Sequence, residues 1–113
     1  RLGGLKLVPT VRLQAPEKAR PGEIVEVKTL VQHPMESGFR RDARGQPIPR
    51  RILNKVTVTF EDELVLEGDW FTGVAASPFL AFDLRVERAG TLRITWQDDD
   101  GTLITAQHRI ELA

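Results

Sequence analysis

The chain has 113 residues, 41% of them hydrophobic and 28% charged, which is the make-up of one folded domain and not of a disordered segment. Sixteen Lys and Arg balance sixteen Asp and Glu, which excludes a whole-molecule field drawing it to nucleic acid or an anionic membrane and leaves only local electrostatics. There is no cysteine, which excludes disulfides, thiolate metal sites and persulfides on this chain, and no apolar run approaches the roughly 20 residues of a membrane-spanning helix.

Residues 1–10 open with Arg1-Leu2-Gly3-Gly4-Leu5, which lacks the apolar core of a signal peptide. They read as an extension, a linker or an extra strand on a domain covering residues 1–113. From there period-2 alternation dominates, and no window carries a 3.6-residue apolar stripe. Val11 and Leu13 alternate with Arg12 and Gln14. Around Glu23 to Val31 both faces are apolar: Val25, Val27 and Val31 line one, while Ile24 and Leu30 share the other with Glu26 and Lys28. Either a loop covers part of that second face or another chain meets it.

Val56, Val58 and Phe60 alternate with Lys55, Thr57 and Thr59, then Leu64 and Leu66 with Glu63 and Glu67. Phe82, Leu84 and Val86 stand against Asp83, Arg85 and Glu87, and Leu92, Ile94 and Trp96 against Arg93, Thr95 and Gln97. The last strand points Ile104, Ala106, Ile110 and Leu112 inward. Turn formers separate the runs at Pro21-Gly22, Arg44-Gly45, Glu61-Asp62, Ala89-Gly90 and Asp100-Gly101. About seven strands at this spacing predict an all-β, immunoglobulin-like, two-sheet antiparallel sandwich.

Two stretches fit no strand. Residues 33–51 are too long for an ordinary connection, and residues 68–78 carry Trp70 and Phe71 among small residues; long irregular segments in compact domains are commonly functional. Neither holds recognisable catalytic machinery. Ser37 precedes Gly38 and reads as a turn residue, and Ser77 precedes Pro78 outside any nucleophile elbow. His33 and His108 are the two histidines, too few for a zinc site without carboxylates. His108 falls on the inward face of the last strand and reads as a hydrogen-bonded core residue. His33 opens the long loop, where it caps a strand end or meets a partner.

Asp98-Asp99-Asp100-Gly101 lacks the alternate spacing of a calcium loop and reads as a hairpin turn. Arg40, Arg41, Arg44, Arg50 and Arg51 make a local basic patch: a solvated hairpin tip, a dock for an acidic partner surface, or a site for nucleic acid or a small anion. Only Phe39 could stack beside them. A metal-dependent enzyme built on His33, His108 and the Asp run is the weakest of the functional alternatives.

Three blocks in order resemble one family. Lys28-Thr29-Leu30-Val31-Gln32-His33-Pro34-Met35-Glu36-Ser37-Gly38 is followed by Arg41-Asp42, Gly45-Gln46-Pro47-Ile48-Pro49-Arg50 and Asn54-Lys55; then come Ser77-Pro78-Phe79-Leu80-Ala81-Phe82 and Trp96-Gln97-Asp98-Asp99-Asp100-Gly101. Together these resemble the SoxZ family. The resemblance implies an immunoglobulin-like, non-enzymatic subunit without a cofactor. It pairs with a SoxY-like chain whose glycine-flanked tail cysteine carries thiosulfate-derived sulfur, and the pair docks transiently to Sox enzymes in the periplasm, with no nucleic-acid or membrane partner.

Residues 1–10 and the Asp69-Trp70-Phe71 stretch depart from the family pattern. On this basis His33, Met35, Arg40, Arg41, Trp70, Phe71 and Phe79 are the expected partner-contact residues, since buried aromatics and arginines dominate interface energetics. The alternative is a generic immunoglobulin-like adhesion or ligand-binding module whose basic loop touches a surface or glycan.

Overall fold

The computed structural model describes residues 11–33, 35–70 and 78–113. Among them are eight strands and no helix: β1 (Val11–Gln14), β2 (Lys18–Ala19), β3 (Glu23–Val31), β4 (Leu53–Phe60), β5 (Glu63–Asp69), β6 (Phe79–Val86), β7 (Gly90–Asp98) and β8 (Leu103–Leu112). They form a three-stranded sheet in the order β1-β3-β6 and a five-stranded sheet in the order β2-β8-β7-β4-β5. The all-β sandwich expected from the alternation is the observed fold.

The extra strand comes from a split at the start of the chain. Ala15 and Pro16 interrupt the first run, and a proline offers no donor to continue a ladder. After it the chain crosses to the other sheet, where Lys18 and Ala19 pair in parallel with Glu111 and Leu112. All other strand pairs are antiparallel.

The core lies between the sheets, built from the inward sets the alternation selects. Val25, Val27 and Val31 of β3 and Leu84 and Val86 of β6 meet Val56 and Val58 of β4, Leu92, Ile94 and Trp96 of β7, and Ile104 and Ile110 of β8; all are 9% exposed or less. Fully burying such a side chain contributes about 1.5–3 kcal/mol. This shared interior therefore outweighs any single surface contact.

Two expected core leucines are outside it. Leu64 is 61% exposed because the β4–β5 register shifts between Val58 and Thr59, so Leu66 opposes Val58 while Leu64 opposes Thr59. One bulged residue is enough to turn a side chain to the opposite face. Leu112 is 40% exposed; β7 ends its pairing at Gly90 opposite Ile110, so the strand has run past its neighbour.

The two-residue β4–β5 turn, Glu61-Asp62, has positive φ at both positions, 49° and 65°, the twist that matches flanking strands. Its acidic residues lack the glycine usual there, and the Glu61 side chain compensates. Glu61 Oε2 accepts from the Thr91 N–H at 2.7 Å. Gly90 leaves room for that reach, since a Cβ there would collide with the Glu61 side chain and with Phe60 Cζ.

Candidate functional site: a clamped arm at one end of the sandwich

The antiparallel pairings set the last residue of β3 and the first of β6 at the same end of the molecule as the start of β4 and the end of β7. The long loop projects from this end and folds into an irregular hairpin arm. Glu36 and Arg51 exchange backbone hydrogen bonds at 2.8 Å, Ile48 N–H donates to Arg40 O at 3.0 Å, and Asp42 N–H donates to Gln46 O at 2.9 Å. At the tip Asp42 Oδ1 accepts from the Arg44 and Gln46 N–H groups, each at 2.9 Å, and Gly45 supplies a φ of 79°.

The base of the arm is held by His33 and Met35. His33 is 5% exposed and Asp98 2%, and His33 Nε2 donates to Asp98 Oδ2 at 2.8 Å. Because the Met35 N–H donates to His33 Nδ1 at 2.9 Å, that nitrogen must be the acceptor, which places the neutral ring's proton on Nε2. Met35 sits at φ 50°, a strained conformation for a non-glycine residue. Its buried sulfur accepts from the Leu53 N–H at 3.3 Å, the reward for holding that conformation.

The acidic run acts as the arm's anchor. Asp98 continues the inward series Leu92, Ile94, Trp96, so its carboxylate enters the core end, where His33, the Arg51 Nε at 3.2 Å and the Asp100 N–H at 3.2 Å satisfy it. Asp99 takes both forks of Arg50 at 2.8 and 2.9 Å, the Asn54 amide at 2.9 Å and the Ile52 N–H at 3.1 Å. The Arg50 hydrogen bonds hold its carboxyl well below the usual carboxylate range, against partial burial, with the bonds from Asn54 and Ile52 acting in the same direction. Gly101 closes the hairpin at φ 88°, as Asp-Gly predicts.

These contacts change the meaning of the arginine cluster. Arg40 is forked onto Glu36 at 2.9 and 2.6 Å, and that pair lowers the Glu36 carboxyl from its usual value. Arg51 also reaches Asp100 at 3.2 Å, and Arg41 donates to Gly45 O at 2.8 Å. Five arginines thus stand among five carboxylates, those of Glu36, Asp42, Asp98, Asp99 and Asp100. Among the described residues Arg44 alone of the five makes no side-chain bond. The end surface is charge-matched, with Arg44 and the 83%-exposed Phe39 at its outer part.

The expected contact residues divide accordingly. His33 and Met35 are buried and tie the arm to the sandwich, so neither offers surface to a partner; a polar residue in a long loop reads as exposed only until its hydrogen bonds are known. Arg40, Arg41 and Phe79 are exposed on this end, Phe79 61% so and opposite Leu30 in the ladder. Trp70 is half-buried against the core, and its backbone N–H donates to Asn54 O at 2.8 Å. Phe71 lies outside the described residues.

Asp98 and Asp99, which read from sequence as hairpin-turn residues, anchor the base of the arm. The in-phase position of Asp98 behind Trp96 is the signal that would have found the anchor. His108 is hydrogen-bonded as expected, Nε2 to Pro16 O at 3.0 Å, but it is half-buried on β8 and not in the core. Ile24 and Leu30, on the second face of β3, lie six residues and about 20 Å apart, separated by charged Glu26 and Lys28, so they form no continuous patch. Among the described residues no group of three or more His, Cys, Asp and Glu side chains is placed to hold a metal ion.

The architecture defines a class first. A superoxide reductase (neelaredoxin) from Ignicoccus hospitalis is similar over 92% of this chain and 80% of its own, at 20% identity and a TM-score of 0.70. The sulfur carrier protein SoxY from Chlorobium limicola f thiosulfatophilum is similar over 91% of this chain and 78% of its own, at 17% identity and 0.62. Likeness at such identities shows a shared β-sandwich and no more. No curated protein matches the chain in sequence. Residues 11–109, however, match the family model for Sulphur oxidation protein SoxZ, and the chain belongs to the SoxZ family.

Proposed function

We propose that this chain is the non-catalytic subunit of a sulfur-carrier pair: it binds a SoxY-like chain whose tail cysteine carries thiosulfate-derived sulfur, and the pair presents that sulfur to Sox enzymes in the periplasm. Membership of the SoxZ family supports a place in a Sox carrier complex. The carrying observation is the arm. Most of its charged groups are tied down, Glu36 by Arg40, Asp99 by Arg50 and Asp98 by His33 and Arg51, which supports reading the arm as a preformed contact surface.

The contact surface in this proposal is the arm end, where Arg40, Arg41, Trp70 and Phe79 are joined by Phe39 and Arg44; Phe71, in the adjoining stretch, belongs to the same expectation. Exposed aromatics and arginines around a fixed scaffold are the usual anchors of an interface. Co-expression with the SoxY-like chain of the same source, with the tag on this subunit alone, tests the assignment. Equimolar recovery of the partner is expected, and persistence of the tagged chain alone at micromolar concentration contradicts it.

A further inference from the structure

Among the described residues no strand covers the side of the sandwich opposite β1 and β2. β5 is the outer strand of the five-stranded sheet and β6 the outer strand of the three-stranded sheet. Among the described residues β5 pairs with β4 alone. Natural edge strands are commonly blunted by lysine, proline, bulges or brevity; β5 is seven residues long, Glu-Leu-Val-Leu-Glu-Gly-Asp, with no lysine, arginine or proline, and its one bulge, at Val65, leaves Leu66 to Asp69 as a regular edge.

Its apolar residues are uncovered. Leu64 is 61% and Val65 39% exposed, and with Phe60 they line a cleft of about 270 Å³ whose other wall includes Leu84 and Arg85 of β6. Among the described residues nothing pairs with the strand's outward backbone groups, and the cleft lies beside them. An added strand would find main-chain partners along β5 and a place for alternate side chains in the cleft, the two components of recognition by strand addition.

Charge selects the occupant. β5 carries Glu63, Glu67 and Asp69. Glu63 pairs with Arg88 at 3.0 Å and Glu67 with Lys55 at 3.4 Å, but both pairs are exposed and therefore weak. A second copy laid antiparallel on β5 about Leu66 would set Glu63 against the other copy's Asp69, and like charges directly opposite destabilise a ladder. A strand with Lys or Arg alternating with apolar residues avoids that repulsion.

We infer that the free edge of β5 receives such a basic, apolar strand from the SoxY-like partner, running along Glu63–Asp69 to Trp70 and so joining the arm-end surface. This rests on the carrier-pair function proposed above. Strand addition replaces solvent on the outward-facing amides, so their hydrogen exchange is the direct readout.

Exchange measured on the co-purified complex and on the isolated subunit should show β5 amides slowed about tenfold or more in the complex, with β7 unchanged. Leu64→Glu, shown by circular dichroism to keep the fold, should weaken partner binding about tenfold or more, equivalent to about 1.4 kcal/mol. Unchanged β5 exchange in a complex that forms, or parental affinity in Leu64→Glu, overturns this inference and leaves the carrier pair standing. If no complex forms, both fall.

Discussion

His33 Nε2 lies 2.8 Å from Asp98 Oδ2 across 65 residues of sequence, with both side chains at most 4% exposed. The pair joins the end of β3 to the end of β7 and, through Arg51, to the base of the arm. A buried donor left without its acceptor costs about 1–3 kcal/mol. Asp98→Ala should lower the unfolding free energy in urea by that amount, because it strips His33, Arg51 and the Asp100 N–H together. His33→Ala should cost less, since Arg51 and the Asp100 N–H remain on Asp98. Equal, small losses in both variants would contradict this hierarchy.

Acid should release the arm through Asp99. Its carboxyl is held below the usual range mainly by Arg50, so the stability it contributes is present above about pH 4 and is lost as pH falls toward its depressed folded value. Urea midpoints between pH 2 and pH 7 should therefore drop at the acid end in the parent, and Asp99→Asn should flatten that limb while lowering the midpoint at neutral pH. A parallel acid limb in the variant would place the titration elsewhere.

Contact and scaffold residues should separate cleanly in variants of the arm. Phe39 is 83% exposed and Arg44 has no side-chain partner among the described residues, so Phe39→Ala and Arg44→Ala should leave stability within about 0.5 kcal/mol. Each should weaken binding of the SoxY-like chain several-fold, by titration calorimetry. Met35→Ala should do the reverse, costing about 2–5 kcal/mol of stability, with binding reduced only as far as the arm loosens.

The distant turn offers a test independent of function. In Gly90→Ala the new methyl meets the Glu61 side chain and Phe60 Cζ, so Glu61 must release the Thr91 N–H. A loss of about 1–3 kcal/mol is expected. Because the two residues share one contact, Gly90→Ala combined with Glu61→Ala should cost less than the sum of the singles. Strict additivity in thermal unfolding would refute the contact.

Most of the fold was legible because each strand keeps one dry face. The inward sets on β4, β6 and β7 emerge from alternation alone, and the turns at Glu61-Asp62 and Asp100-Gly101 fall where the chain reverses. Alternation fails where register does: the bulge at Val65 turns out Leu64, a change set by pairing with β4 and invisible within β5 itself. The arm was legible as a long irregular segment, but the roles of its residues depend on contacts that only the fold supplies. Counting arginines in the loop suggests a basic patch, and only the fold brings Asp98, Asp99 and Asp100, some fifty residues onward, against Arg50 and Arg51. His33 and Met35 belong to a block that carries the SoxZ resemblance, and their geometry makes them the arm's fastening.

Native mass spectrometry of the co-expressed pair, after exposure to thiosulfate and the oxidising enzymes of the same system, addresses the central claim most directly. The account predicts a one-to-one complex in which sulfur adducts appear on the partner's tail cysteine, while this chain keeps its unmodified mass. Recovery of this chain without a partner, or loss of the adduct-bearing chain from the complex under native conditions, would contradict it.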